Sequence, residues 1–151
     1  MLAAIRRFFA RMTGESEDVA TGEDEVRLAI AALLFHVIAV DGVVLEEERA
    51  ALTELLERRF DLGPDEAAAL LAAAETADAE AVDLYGFTSV IKRELDQAER
   101  DRLIGMMWKM VYADGQLHEF QDNVVWRVAE LLGVPSQTRI RLKQSVRGNG
   151  G

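Results

Sequence analysis

Two short acidic segments carry the side chains of this chain that are best suited to chemistry. Each has an aspartate followed by a glycine and, a few residues later, further acids or a histidine. The candidate ligands in the two segments are Asp41, Glu46, Glu48, Asp114, His118 and Glu119. Carboxylates gathered from both segments would bind a hard cation such as Ca²⁺ or Mg²⁺, and the imidazole of His118 would admit Zn²⁺. One hypothesis is therefore a divalent metal site where the two segments meet.

The same acids have other interpretations that the sequence leaves open. Carboxylates in the first turn of a helix complement its dipole, and aspartate before glycine is common in turns. A surface that gathers acids is also suited to dock a basic partner. Structural capping, metal binding and partner docking are therefore three competing hypotheses for these segments.

Neither segment can be an EF-hand by itself. If Asp41 and Gly42 occupy the fifth and sixth loop positions, Glu48 falls on the twelfth, where a bidentate glutamate belongs. The first and third positions are then Val37 and Ala39, which have no side-chain oxygen. Each segment supplies at most half of a metal site.

The two segments belong to an internal repeat with an offset of 73 residues. The aligned pairs include Asp41 with Asp114, Gly42 with Gly115, Ile38 with Val111 and Leu52 with Val125. Each copy has the pattern of a helix, an Asp-Gly turn, a second helix, a short loop and a third helix. Two copies are too few for a solenoid, so we predict a closed bundle with pseudo-two-fold symmetry.

The hydrophobic pattern predicts a single all-α domain of about seven helices. The expected spans are 24–40, 46–60, 65–75, 79–94, 97–113, 119–132 and 136–146. The span 79–94 would bridge the two copies and contribute Val82, Tyr85, Phe87, Val90 and Ile91 to the core. The predicted core includes Leu33, Leu34, Val37, Met107, Trp108, Met110 and Val111. The polar exception on the first helix is His36, which we expect to reach the surface or to pair with an acid.

The ends of the chain differ in character from its body. Residues 1–12 form a basic amphipathic pattern. We predict a flexible linker at 13–24, the helical domain at 25–147 and a disordered tail at 148–151. With helical spacing, the apolar stripe of residues 1–12 consists of Leu2, Ile5, Phe8, Phe9 and Met12, and Arg6, Arg7 and Arg11 lie on other faces. Such a segment can lie on an anionic membrane, dock on its own domain or dock on a partner. We expect a cytoplasmic protein, and attachment to the inner face of the membrane is one of the open alternatives.

The composition excludes several classes of function. The net charge is −10, and all 27 acidic residues lie between positions 13 and 138. An acidic body repels phosphate backbones, so we expect no nucleic-acid partner. The absence of cysteine excludes disulfides and thiolate chemistry. No nucleophile elbow, phosphate loop or His-Glu-x-x-His motif occurs, and we expect no enzymatic activity.

Four short motifs together resemble the tellurite-resistance TerB-like family. They are AVDG at 39–42, LYGFT at 84–88, YADG at 112–115 and VAELLGV at 128–134. The resemblance covers about 25–146 and implies an all-helical bundle with internal pseudo-symmetry and a role in tellurite resistance or other stress responses. It also implies a metal site that includes Asp41, Glu48 and Asp114. The chain departs from the family at Gln121, where the family has a further glutamate.

Two hypotheses of function follow from these residues and from the resemblance. The first is a non-enzymatic stress-response domain that binds a divalent ion between its acidic segments. The second is a protein-binding scaffold whose acidic face docks a basic or membrane-associated partner.

Overall fold

The fold is a bundle of helices. The computed structural model describes residues 22–113 and 118–150, with side chains for 24–113 and 118–146. Within these residues the chain forms seven α-helices and no strand, which confirms the predicted fold class. The helices are α1 Gly22–Ala39, α2 Glu46–Phe60, α3 Pro64–Glu80, α4 Tyr85–Glu94, α5 Gln97–Val111, α6 Glu119–Leu131 and α7 Ser136–Gly150.

Helix α1 lies at the centre of the bundle. From Leu28 to Ile38 every side chain is buried except that of His36. A helix that is apolar on all sides must be covered on all sides, and α1 contacts α2, α3, α4, α5 and α6. It ends where Gly42 takes a φ of +85° and donates its amide to the carbonyl of Ala39 at 3.0 Å. Glycine adopts this left-handed conformation without steric cost.

The two predicted copies are present as α1–α2–α3 and α5–α6–α7. Shifting the first three helices by 73 positions lays each on its counterpart to within a few residues at each end. In both copies the third helix packs on the first, since α3 contacts α1 and α7 contacts α5. Helix α4 contacts α1 and α6, so it links the two copies as the sequence predicted.

An ion pair fastens the third helix of the first copy. Arg49 on α2 donates to Glu75 on α3 at 3.0 Å, and its guanidinium lies 5.9 Å from the centre of the Phe35 ring on α1. One side chain therefore contacts all three helices of the copy. Both charged groups are partly exposed, so the pair mainly fixes the register of α2 and α3 and adds little to the stability.

The predicted boundary between α3 and α4 is wrong. Helix α3 continues to Glu80, and α4 begins only at Tyr85. Alanines carry α3 onward, and Ala77 in its last turns is buried. The side chain of Asp83 accepts the amide of Tyr85 at 3.0 Å and so marks the start of α4. As a result Val82, which we placed in the core, is 99% exposed, and Tyr85 is exposed as well.

The other predictions for the core hold with one exception. Leu33, Leu34, Val37, Met107, Trp108 and Val111 are buried, whereas Met110 is only partly buried. His36 pairs with an acid as expected, since its Nδ1 lies 2.8 Å from Asp78 Oδ1.

The ends of the described chain differ from the predicted segments. Helix α1 begins at Gly22, inside the predicted linker, and α7 reaches Gly150, inside the predicted tail. The predicted amphipathic segment 1–12 lies outside the described residues. None of the described helices has both the length and the apolar composition needed to cross a membrane.

Substituting Leu34 tests the central role of α1. Leu34 is fully buried in the middle of the helix, so Leu34→Ala removes apolar contacts and leaves a cavity. We expect the free energy of unfolding to fall by about 2–5 kcal/mol. Val82→Ala is the control, because this side chain is 99% exposed and should change stability by less than about 0.5 kcal/mol. Urea unfolding measures both, and equal values would contradict the central position of α1.

Candidate functional site

The two acidic segments meet across the bundle. Gln121 on α6 donates its side-chain amide to Glu48 Oε2 on α2 at 3.4 Å. These residues occupy equivalent positions in the two copies, 73 residues apart. A contact between equivalent positions is what an axis of two-fold pseudo-symmetry between the copies requires. The start of α2 and the start of α6 therefore face each other, which is the arrangement that the metal hypothesis requires of the described residues.

Asp41 shapes the turn that follows α1. Its Oδ1 accepts the backbone amide of Val43 at 3.1 Å, across the glycine at position 42. This is the side-chain to backbone bond that aspartate commonly makes in turns. The structural interpretation of Asp41 is therefore confirmed.

Glu48 caps the start of α2 and joins the two copies. Its Oε1 accepts the amide of Leu45 at 3.0 Å, which satisfies one of the unpaired amides at the helix start. Leu45 has no side-chain acceptor, so only the glutamate half of a capping box is present. The other oxygen accepts from Gln121. Both carboxylate oxygens of Glu48 thus already bind protein donors.

The second acidic segment is described only in part. Asp114 and the three residues after it lie outside the described residues. His118 is partly buried, and its carbonyl accepts the amide of Asp122 at 2.8 Å at the start of α6. Glu119 is exposed at the start of α6, as Glu46 is at the start of α2.

The described residues do not complete a metal site. No three His, Cys, Asp or Glu side chains within 24–113 and 118–146 are placed to hold an ion together. A cation between the segments would therefore depend on Asp114.

A groove lies between the two acidic segments. It has a volume of about 1000 Å³. One wall is formed by the end of α1, the first acidic segment and α2, and the other by the end of α5, Ala113, His118 and Gln121. Its apolar side chains include Ile38, Val43, Leu45, Leu55, Met106 and Met110. Val43 and Leu45 are more than half exposed there, so the groove presents an apolar surface to solvent.

The charges along the groove are ordered. Near the start of α2 lie Asp41, Glu47 and Glu48, while Arg58 and Arg59 lie near its end, where Arg58 pairs with Glu54 in the same wall. Lys109 on α5 also lines the groove. Of the predicted ligands, Asp41, Glu48 and His118 line the groove, but Glu46 and Glu119 do not. The acidic end of the groove was predictable from the sequence, whereas its apolar surface was not. Val43 and Leu45 stood out in no periodic pattern because they lie in the loop between α1 and α2.

A buried carboxylate that was not predicted from the sequence, Asp122, lies beside the second segment. Asp122 Oδ1 accepts from Trp108 Nε1 at 3.2 Å and from the Tyr112 hydroxyl at 2.8 Å. The ammonium of Lys143 on α7 lies 3.0 Å from the same carboxylate. Asp122 thus holds the end of α5 against the start of α6, on either side of the loop that carries Asp114. Its spacing from the buried Val125 was the available signal, because residues three apart share a helix face.

One comparison with known proteins gives a match. The family model described as "Tellurite resistance protein TerB" matches residues 27–144. The matched range includes both acidic segments and most of every described helix. No curated protein and no solved structure gives a significant match.

Replacing Asp122 by a neutral residue should weaken the contacts that hold α5, α6 and α7 together beside the second acidic segment. Asp122→Asn retains an acceptor for Trp108 and Tyr112 but removes the charge that faces Lys143. We expect a loss of about 1–3 kcal/mol in the free energy of unfolding, because hydrogen bonds to charged groups are stronger than neutral ones. Urea unfolding followed by tryptophan fluorescence measures the loss.

The control is Glu119→Gln in the same helix turn. Glu119 is exposed, so its neutralisation should cost no more than about 1 kcal/mol through the helix dipole. In a double-mutant cycle, Asp122→Asn and Lys143→Met should be less than additive, because each removes the same ion pair. Additive losses would show that the pair does not contribute.

Proposed function

Because this chain belongs to the tellurite-resistance TerB family, we propose that it is a non-enzymatic docking domain with a stress-response role of the tellurite-resistance type. Its groove takes a basic amphipathic helix of a partner protein. The observation that carries this proposal is the apolar groove between the two acidic segments, with Val43 and Leu45 exposed in its wall.

The dimensions and side chains of the groove suit a helix. Helix α2, which forms one wall, has 15 residues and is therefore about 22 Å long. An amphipathic helix of three to four turns spans the same length and would place its apolar residues in such a groove. Met106 and Met110 on the opposite wall have flexible side chains that adapt to different partners.

The charge at the acidic end selects the partner. Asp41 and Glu48 are held by hydrogen bonds to backbone amides, and Glu47 lies beside them. Carboxylates that are fixed before binding lose little conformational entropy when a cation pairs with them. A helix with lysines or arginines near one end therefore fits this groove better than an acidic one.

A designed peptide tests the docking function on the full chain. A 14-residue amphipathic peptide of leucine and lysine should bind and shift the methyl resonances of Met106 and Met110. Val43→Asn should weaken binding about tenfold or more, because it places a polar amide on the apolar wall without adding a charge that could attract the lysines. Val82→Asn is the matched control, since it makes the same change at an exposed valine outside the groove. Equal affinity of the two variants, or no binding by the parent, would refute the proposal.

A divalent cation between the acidic segments is the second candidate function. The contact between Glu48 and Gln121 supports it, because it brings the two segments together. Asp41, Glu48 and His118 line the same groove, and Asp114 would supply the further ligand. Ca²⁺ and Mg²⁺ suit the carboxylates, and Zn²⁺ suits the imidazole.

Thermal melts test this second candidate. A ligand that binds only the folded chain stabilises it by about 2.7 kcal/mol at one hundred times its dissociation constant. We expect one of the three ions to raise the melting temperature, and the double substitution Asp41→Asn with Asp114→Asn to abolish the rise. Melts run in chelator and in millimolar cation at constant ionic strength provide the measurement. A parent chain that melts identically in both would rule out the site.

A further inference from the structure

We propose that residues 1–12 of this chain themselves occupy the groove, so that a partner helix must displace them. The inference rests on the proposed docking function, because it takes the same groove as the binding surface. It adds an intramolecular competitor and hence a way to regulate access.

The direction of the chain favours this occupant. Arg27, near the start of α1, lies with its guanidinium 5.6 Å from the centre of the Phe60 ring at the end of α2. The two helices are therefore antiparallel, and the start of α1 lies beside the end of α2. The chain that precedes α1 thus joins the bundle at the end of the groove formed by Arg58 and Arg59.

The length of the preceding chain is sufficient. The nine residues 13–21 span up to about 30 Å when extended. Residues 1–12 as a helix would be about 18 Å long, slightly shorter than the wall formed by α2. The segment can therefore lie along the whole groove while it remains attached to α1.

The net charges of the linker and of residues 1–12 are opposite in sign to the net charges at the two ends of the groove. The linker carries Glu15, Glu17 and Asp18, and it would pass the end of α2 that carries Arg58 and Arg59. The segment beyond the linker contains arginines and no acid, and it would approach the acidic end of the groove.

The apolar residues are also complementary. With helical spacing, Leu2, Ile5, Phe8 and Phe9 share one face of the segment. The groove offers Val43, Leu45, Leu55, Met106 and Met110 to such a face. Tethering raises the effective concentration of the segment to about the millimolar range. A segment with a dissociation constant of about 0.1 mM would then fill the groove in roughly ten of every eleven molecules.

A spin label on the full chain provides the direct test. The chain has no cysteine, so Ala10→Cys gives one attachment site on the same helical face as Arg7. We expect the label to broaden the methyl resonances of Met106 and Met110. Adding Phe8→Asp and Phe9→Asp should remove the broadening, because these charges cannot enter an apolar groove. Thr13→Asp with Gly14→Asp adds the same charge outside the stripe and should leave the broadening in place.

Competition with the leucine–lysine peptide provides the second measurement. The Phe8→Asp and Phe9→Asp chain should bind the peptide about tenfold more tightly than the native chain, because its groove is open. Equal affinities together with absent broadening would overturn the intramolecular inference and leave the docking function intact. Failure of the peptide to bind the opened chain would instead refute the docking function.

The same label distinguishes two alternatives, in which residues 1–12 bind the groove of a second copy or bind a membrane surface. Broadening seen only when labelled and isotope-enriched chains are mixed would assign the segment to the groove of a second copy. Binding to anionic vesicles, with no broadening of Met106 or Met110 in their absence, would assign it to a membrane surface. Either result overturns the inference.

Discussion

The need to cover α1 on every side determines the arrangement of the bundle. Its side chains from Leu28 to Ile38 are buried with the sole exception of His36, so no face of the helix is left for solvent. Its counterpart α5 has a different environment. There Met106 and Met110 are only partly buried, and both line the groove. Helix α5 is thus left partly uncovered at the groove, whereas its counterpart α1 is covered on every side.

In each copy an ion pair joins the second helix to the third, and the signs of the two charges are exchanged between the copies. At equivalent positions the first copy has Arg49 and the second has Asp122, and each lies against the aromatic residue 14 positions earlier. The third helix supplies the complementary charge, Glu75 in one copy and Lys143 in the other. An attraction between the second and third helix of a copy requires opposite charges, but either of the two helices can carry the positive charge. The less exposed pair in the second copy also accepts two aromatic donors, so it is the more strongly constrained of the two.

Features that depend on neighbours in sequence were predictable. The apolar run of α1, the turn at Gly42 and the repeat of 73 residues all follow from spacing along the chain. The pairing of His36 was also expected, because a single polar residue on an apolar helix needs a partner or a route to solvent. Identifying its partner as Asp78 required the packing of α3 on α1.

Features that depend on tertiary contacts were not predictable. Alanine-rich α3 has no strong stop signal between positions 75 and 80, so its end is set by what it covers on α1. Asp122 looks like an ordinary acid in the first turn of α6, and only the approach of Trp108, Tyr112 and Lys143 shows its role. The groove was missed because its two walls are far apart in sequence.

The acids of the first segment make structural hydrogen bonds and also line the groove. A carboxylate has about four acceptor sites, so a hydrogen bond to a backbone amide does not exhaust it. Asp41 and Glu48 each use such a bond to shape the turn and the helix start, and both still line the groove. The turn bonds fix where the negative charges stand relative to the apolar wall of Val43 and Leu45. Capping thereby fixes the acidic end of the groove, so the structural interpretation and the proposed docking of a basic helix involve the same carboxylates.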